Sequence, residues 1–134
     1  MQTRKGQSIE DESMMIIDNE IGAHKYNEQE WPIVRRVIHS TADFDFARNN
    51  KIIFHKSAIR DGLVALKNGC SIVVDVNGII GLMNKQNHKD FGNNVICNIS
   101  ESSLIEEAKK EGKTRAEMSM RVAKEDMNGG IVVI

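Results

Sequence analysis

The sequence predicts an α/β fold with a mainly parallel sheet, preceded by helices in the N-terminal part of the chain. From Lys51 onward, short apolar runs alternate with segments of helical periodicity, which is typical of βα units. The run from Ser71 to Asp75, SIVVD, is rich in β-branched residues and does not alternate, as in parallel strands that are covered on both faces. With 134 residues, we expect a single domain over residues 1–134.

Composition argues against several classes of function. The 18 basic and 19 acidic residues nearly cancel, so no nucleic-acid-binding surface is expected. The stretch MQTRKGQSIEDESMM lacks the apolar core of a signal peptide and no run reaches transmembrane length, so we expect a cytoplasmic protein with no membrane partner. Cys70 and Cys97 are too isolated for a disulfide framework, and no cluster has metal-ligand spacing, so we expect no bound metal.

The first predicted helix runs from Ser8 to about Glu20, with residues 1–7 as a frayed or extended lead-in. Ser8 is followed three residues later by Asp11, which is the spacing of a capping pair. Ser13 lies inside this helix, and the pattern alone indicates no more than a surface serine. Ser13 becomes a candidate site residue only through a family resemblance.

The second predicted helix carries His39. It begins either at Asn27, which has Glu30 three residues later, or closer to Pro32, which suits a first helical turn. Apolar residues occupy one face of this helix, while polar residues that include Arg36 and His39 occupy the opposite face. That polar face is either solvated or available for chemistry, and periodicity does not decide between these alternatives.

The remaining elements alternate between strands and helices. Asp75 follows its strand at the edge where open sheets bind ligands, although it equally suits the cap of the next helix. The other predictions, in order, are an extended or loop connection in DFDFARNN, a strand in IIF, a helix over Ser57–Lys67 stopped by Asn68-Gly69, a short helix or turn in NGIIGLMN, a polar loop in NKQNHKDFGNN, a strand over Val95–Ile99, a helix from Ser100 closed by Gly112, and a final strand in IVVI.

Thr114 and Arg115 open the last predicted helix. Thr114 has Glu117 three residues later, which completes a capping box. Arg115 falls in the first turn, where a cation opposes the helix dipole, so helix propensity does not favour it there. A carboxylate bound at this turn would meet free backbone N–H groups and a guanidinium, and the pair therefore indicates an anion site.

Several segments, in order along the chain, resemble one known family. ESMMIID, RRVIHSTADFDFA, ALKNGCSIVVDVN, VICNI, GKTRAEM and GGIVVI are similar in sequence and spacing to the precorrin-8X and cobalt-precorrin-8 methylmutases of cobalamin biosynthesis. The resemblance spans nearly the whole chain but does not include the family's C-terminal part. It implies a flavodoxin-like three-layer α/β/α fold that is short at its C-terminus.

The resemblance also implies a function. Methylmutases of this family are isomerases that move a methyl group from C11 to C12 of a corrin precursor, with or without cobalt in the ring, and they need no cofactor. His39 matches the family's acid/base histidine, and Ser13 and Arg36 match its substrate-contacting serine and arginine. Thr114 and Arg115 resemble the family's Thr-Arg pair, for which substrate contact is implied. The expected partners are a corrinoid substrate and further copies of the chain, in a homodimer or a higher homo-oligomer.

Two alternatives remain open at this stage. One is a catalytically impaired methylmutase relative that only binds corrinoid or serves as a structural subunit, which the short C-terminus suggests. In NGIIGLMN, Gly78 and Leu82 stand where the family tends to have Met and Gly, so a wall of the pocket is expected to differ. The other is an unrelated small-ligand domain on a flavodoxin-like fold. It would require a phosphate-cradling loop after the first strand, and FHKSAIRDG is a poor one.

Overall fold

The computed structural model describes residues 3–134 and divides into two compact units. The first unit ends at Ile59 and the second begins at Arg60. The helices of the first unit are α1 (Arg4–Ile21), α2 (Trp31–Thr41) and α3 (Asp45–Arg48), and α4 (Ala58–Lys67) runs across the boundary. The second unit continues with β1 (Ser71–Val74), α5 (Asn77–Leu82), α6 (Lys85–Asp90), β2 (Asn94–Ile96), α7 (Ser102–Glu111), α8 (Arg115–Val122) and β3 (Ile131–Val133).

Helix α1 begins earlier than the sequence predicts. The hydroxyl of Thr3 accepts a hydrogen bond from the backbone N–H of Gly6 at 3.1 Å, so Thr3 is the N-cap and Ser8 lies inside the helix. The predicted extended lead-in is therefore wrong for residues 4–7, while residues 1 and 2 lie outside the described residues. Thr3 and Ser8 are both residue types that cap helices. The more N-terminal of the two, Thr3, is the N-cap of α1.

Helix α2 begins at Trp31, which agrees with the later of the two predicted starts and places Pro32 in the first turn. Asn27 and Glu30 still form reciprocal hydrogen bonds. The side-chain oxygen of Asn27 accepts from the backbone N–H groups of Gln29 and Glu30, at 2.9 and 3.0 Å, and the Glu30 carboxylate accepts from the backbone N–H of Asn27 at 3.1 Å. The capping pattern thus fixes the turn that leads into α2.

The core of the first unit brings α1, α2 and α3 together around Ile17, Val34, Ile38 and Ala47, all of which are buried. Two predictions fail here. DFDFARNN contains α3 and not an extended connection, because one helical turn buries Ala47 while its flanking phenylalanines pack on the same core. IIF is not a strand: its first and third residues pack against the core and Ile53 is exposed, but no neighbouring strand pairs with it.

The sheet of the second unit has three strands in the order β2-β1-β3, and both pairings are parallel. Ile72, Val73 and Val74 are 4%, 1% and 0% exposed. Because successive residues of a strand point to opposite faces, both faces of β1 are covered. The predicted parallel α/β fold with preceding helices is confirmed, and the strand order equals the first three positions of the flavodoxin-like order 2-1-3-4-5.

The connections of the second unit follow the predictions with one exception. Helices α4, α5, α7 and α8 lie where helices or turns are expected, and Gly112 ends α7 with φ 64°. The segment NKQNHKDFGNN is not a polar loop but contains α6. Asn84 caps this helix by accepting from the backbone N–H groups of Gln86 and Asn87, at 3.1 and 3.3 Å. A polar helix without an apolar stripe leaves no periodic signal in the sequence.

Candidate functional site

His39 lies near the end of α2 and lines a surface cavity of about 250 Å³ in the first unit. The polar residues of the lining are His39 and Ser13, which comes from α1. The other lining residues are Ile16, Ile17, Ile38, Ala42 and Phe44. An imidazole and a hydroxyl thus share a concave surface that is otherwise apolar, and we call it the His39 cavity.

Packing between α1 and α2 creates this cavity. Ile38 is buried against Ile17 in the core, and the next residue, His39, is carried to the rim of the contact and stays exposed. The Ser13 hydroxyl donates to the backbone carbonyl of Ile9 at 2.9 Å. Since its proton is used within the helix, the hydroxyl oxygen presents acceptor capacity to the cavity.

Arg36 lines a different cavity of the first unit. This second cavity, of about 330 Å³, lies along α1 and α2 and includes Glu10, Arg35 and Arg36 in its lining. The guanidinium of Arg36 is half-exposed and forms an ion pair with Glu10. Arg36 and His39 are therefore on one helix, as predicted, but only His39 lines the cavity that contains Ser13. Any other carboxylate held by Arg36 has to compete with Glu10.

Asp18 links the two helices that form the His39 cavity. One carboxylate oxygen accepts from the Trp31 indole N–H at 3.0 Å, and the other accepts from the Arg35 guanidinium at 2.7 Å. These bonds join α1 to the first turns of α2 and so fix how Ser13 faces His39. Sequence reasoning missed Asp18, although its position beside the buried Ile17 at the border of the apolar face of α1 was an available signal.

Thr114 and Arg115 lie in the second unit at the start of α8. The Thr114 hydroxyl accepts from the backbone N–H of Glu117 at 3.1 Å, so its predicted role as the N-cap is confirmed. The Glu117 carboxylate instead accepts from Lys113 and Arg121, both at 2.9 Å. The hydrogen bond from Lys113, together with the charges of Lys113 and Arg121, holds the pKa of Glu117 below its ordinary value, and partial desolvation opposes this shift.

Arg115 is exposed in the first turn of α8 and, among the residues that the structure describes, has no ion-pair partner. Its guanidinium thus remains available to an anion beside the helix N-terminus. Asp75 follows the central strand, and one of its carboxylate oxygens is buried without a hydrogen-bond partner. The N-cap of α5 is Val76, with no side-chain cap, so the alternative that Asp75 caps this helix is wrong.

The other chemical predictions concern metals and membranes. Within residues 3–134, no three side chains of His, Cys, Asp or Glu lie together in a group that would hold a metal ion. Over the same part of the chain, no helix has the length and apolar character needed to cross a membrane. The two cysteines are unpaired and partly buried.

The first unit is helical and has a histidine-lined cavity. The second unit, which follows it along the chain, has a parallel sheet of order β2-β1-β3, so the chain is an α/β protein with flavodoxin-like strand order. The sequence profile of the precorrin-8X methylmutase family matches residues 8–134. The chain belongs to this family, as the resemblance in its segments predicts.

Individual relatives agree with this assignment. The chain is 43% identical over 134 residues to the cobalt-precorrin-8 methylmutase of Leptospira interrogans, covering 98% of this chain and 60% of that protein. It is 39% identical over 132 residues to the same-named protein of Priestia megaterium, covering 98% and 58%. The crystal structure of the precorrin-8X methylmutase of Thermus thermophilus superimposes with a TM-score of 0.81 at 36% identity, covering 95% of this chain and 61% of that one. The chain thus spans about three fifths of the length of these relatives.

Proposed function

We propose that this protein is an isomerase that moves a methyl group from C11 to C12 of a corrin precursor, precorrin-8X or its cobalt-containing equivalent. Family membership and the names of the relatives support the reaction class. The observation that carries the proposal is the imidazole of His39 in a cavity whose walls are otherwise mostly apolar. Apolar walls suit the edge of a macrocycle, and an imidazole suits proton transfer to it.

The proposed mechanism assigns His39 the role of acid and base. A proton given to the conjugated ring makes the ring more electron-poor and lowers the barrier to methyl migration. The methyl group breaks its bond to C11 and forms one to C12, and the proton returns to the imidazole, so no oxidant or reductant is needed. Imidazole suits this exchange because its unperturbed pKa is about 6.5. General acid–base catalysis is typically worth about 10²- to 10⁴-fold in rate.

As substrate-binding residues we propose Ser13, Arg36, Thr114 and Arg115. The Ser13 oxygen would accept a hydrogen bond from the ligand beside His39. Arg36 would exchange the carboxylate of Glu10 for a carboxylate of the ligand, which conserves one ion pair. Arg115 would bind another carboxylate, since its guanidinium and the first-turn N–H groups of α8 favour anions, and Thr114 would hold this turn in place.

We further propose that the protein is a cytoplasmic homodimer and that it carries no cofactor. Any cobalt would belong to the substrate. The His39 cavity measures about 250 Å³, which is below the roughly 300–1,000 Å³ usual for ligand pockets. The cavity would therefore hold only one edge of the ring. Other polypeptide, such as a second copy of the chain, would have to form the remaining walls of the pocket.

The same small volume favours a second candidate function, which is binding of a corrinoid without turnover. The chain spans about three fifths of the length of its relatives, so about two fifths of each relative has no counterpart in residues 1–134. Under this alternative His39 and Ser13 contact the ring, but the reactive geometry is not reached.

The experiment is turnover of precorrin-8X followed by absorbance, in the unmodified protein and in His39→Ala. We expect the substitution to reduce turnover by about 10²-fold or more while circular dichroism and the unfolding midpoint stay unchanged, because the residue is exposed and off the core. Ser40→Ala is the matched control, since Ser40 is the next residue on α2 and does not line the cavity. Full turnover by His39→Ala would exclude the mechanism. Binding of hydrogenobyrinic acid by a protein without turnover would favour the second candidate.

A further inference from the structure

Glu10 of α1 and Arg36 of α2 form an ion pair, and both residues line the second cavity of the first unit. The Glu10 side chain is 22% exposed and the Arg36 side chain is 54% exposed. A ligand can therefore reach the guanidinium from solvent, while most of the partner side chain is covered. Any anion that approaches Arg36 meets a guanidinium that an internal carboxylate already occupies.

The ion pair lies close to the polar residues of the His39 cavity. Glu10 precedes Ser13 by three residues on α1, and Arg36 precedes His39 by three residues on α2. Residues at this spacing are neighbours on one side of a helix. A ligand that contacts Ser13 and His39 therefore has the ion pair about one helical turn away on each helix.

Packing between α1 and α2 does not require the charge of Glu10. The two helices share a buried core, and Asp18 of α1 accepts hydrogen bonds from Trp31 and Arg35 of α2 at 3.0 and 2.7 Å. An ion pair with a half-exposed partner adds little stability to contacts of this kind. The presence of Glu10 opposite Arg36 therefore calls for an explanation other than stability.

The chemistry of the reaction offers one. Moving a methyl group between two ring carbons leaves the peripheral carboxylates of a corrin precursor unchanged, so a contact with Arg36 would be the same for substrate and product. Such uniform binding does not lower the barrier of the chemical step, and it delays the departure of the product. A second carboxylate at the same guanidinium weakens the contact, either by replacing the ligand or by like-charge repulsion beside it.

We propose that Glu10 is an internal competitor for Arg36, which limits the affinity of the protein for its ligand and speeds the release of product. The inference rests on the proposed function, because it takes the ligand to be a carboxylated corrin. Glu10 neutralises Arg36 in the free protein, a ligand carboxylate takes over this role in the complex, and Glu10 returns when the ligand leaves. Glu10 thus acts on the ligand only through Arg36.

The test compares the parent protein with Glu10→Gln, which keeps the shape of the side chain and removes its charge. Spectral titration with hydrogenobyrinic acid gives the affinity, and stopped-flow dilution of the complex gives the dissociation rate. We expect tighter binding and slower dissociation, each by about threefold to fivefold, which is the upper part of the range for an exposed ion pair. In turnover of precorrin-8X, KM should fall and kcat should not rise, because the contact is uniform.

Glu12→Gln is the matched control. Glu12 is an exposed acidic residue of α1 that does not line the second cavity, so the variant removes the same charge two residues further along and should leave affinity unchanged. A double-mutant cycle gives a second control. In an Arg36→Gln background, Glu10→Gln should no longer tighten binding, since the group for which it competes is gone.

Unchanged or weaker binding by Glu10→Gln would overturn the inference, and weaker binding would identify the ion pair as structural. Tightening of equal size in Glu12→Gln, or in the Arg36→Gln background, would also overturn it. These results leave the proposed function standing, because the parent protein binds the acid in each of them. Absence of binding by the parent and by every variant would overturn the proposed function and this inference with it.

Discussion

Helices α2 and α7 end in the same left-handed backbone conformation but with different residues. Ala42 follows α2 in the first unit with φ 55° and ψ 19°, and Gly112 follows α7 in the second unit with φ 64° and ψ 33°. The backbone N–H of Ala42 donates to the carbonyl of Ile38 at 2.8 Å, as helix caps of this kind do. Glycine adopts this conformation freely, whereas an L-residue bears roughly 1–2 kcal/mol of steric strain.

The two positions also differ in their surroundings. Ala42 lines the His39 cavity, whereas a Cβ at Gly112 would meet no atom within 4 Å. Residues in strained conformations persist where the surrounding structure fixes them, and they cluster at functional sites. The first unit therefore has a strained residue at the end of α2, beside the cavity, while the second unit ends a similar helix without strain.

The largest effect is expected from Ala42→Val. A β-branched residue at positive φ is a true conformational outlier. We expect a loss of roughly 2 kcal/mol in the free energy of unfolding, within the 1–3 kcal/mol range of strained residues. Urea unfolding followed by the fluorescence of Trp31, the only tryptophan, measures it. An unchanged midpoint would show that the αL conformation is not required at this position.

Gly112→Ala should destabilise the protein by about 1 kcal/mol, since the strain of roughly 1–2 kcal/mol is partly offset by the lower entropy of the unfolded chain. Because the space around Gly112 is open, no steric clash of the new methyl group contributes. The change in the free energy of unfolding therefore reports the cost of the backbone conformation. Urea unfolding followed by circular dichroism measures the change. Gly62→Ala, inside α4 and equally free of neighbours, is the control and should have the opposite sign, because alanine favours the helix. Destabilisation by both variants would point to another cause.

Ala42→Gly is the reverse of Gly112→Ala, because it places glycine at a helix end where the chain has alanine. It should stabilise the protein by somewhat under 1 kcal/mol, because the strain that it releases, roughly 1–2 kcal/mol, is larger than the cost of the entropy that glycine adds to the unfolded chain. The expected shift is a higher urea midpoint with an unchanged m value. If the methyl group matters to the cavity wall, corrinoid binding should weaken in the same variant even though stability rises. A variant that is less stable than the parent would contradict the strain argument.

The sequence predicted the elements that carry their own signals. The buried run at β1, the cap at Thr114 and the glycine that ends α7 were all readable, because each depends on local chemistry. The start of α1 and the existence of α3 and α6 were not. In α3 the aromatic residues alternate as in a strand, and only tertiary packing on Ala47 selects the helical turn. In α6 no apolar stripe exists, so the cap at Asn84 was its one signal.

The candidate site likewise has residues that the sequence predicted and contacts that it did not. His39 and Ser13 were selected by the family resemblance, and the structure places both in one cavity. Sequence reasoning did not find the link from Asp18 to Trp31 and Arg35, because partners 13 and 17 residues apart leave no periodic trace. Nor did it find that Glu10 pairs with Arg36. Long-range side-chain pairing depends on how helices pack, which a helical pattern does not specify.

The smallest effect is expected at Glu117, whose exposed carboxylate accepts hydrogen bonds from Lys113 and Arg121. The pKa of Glu117 is lowered, first by its hydrogen bond from Lys113 and then by the charges of Lys113 and Arg121. A carboxyl group with a lower pKa in the folded state stabilises the fold at pH values above its unfolded pKa, which is near 4.3 for a glutamate. That contribution is lost as the pH falls through the lower, folded-state pKa.

Glu117→Gln should therefore be slightly less stable than the parent at pH 6, and the difference should shrink as the pH falls below about 4.3 and through the lower, folded-state pKa. The difference should be small, since the group is exposed and screened by solvent, and high salt should reduce it further. Urea is the suitable denaturant because it adds no ions. Glu107→Gln is the control, because Glu107 has no ion-pair partner in the described part of the chain, and its difference from the parent should not depend on this charge cluster. A Glu117→Gln difference that stays constant from pH 6 to pH 3 would show that the carboxylate charge contributes nothing there.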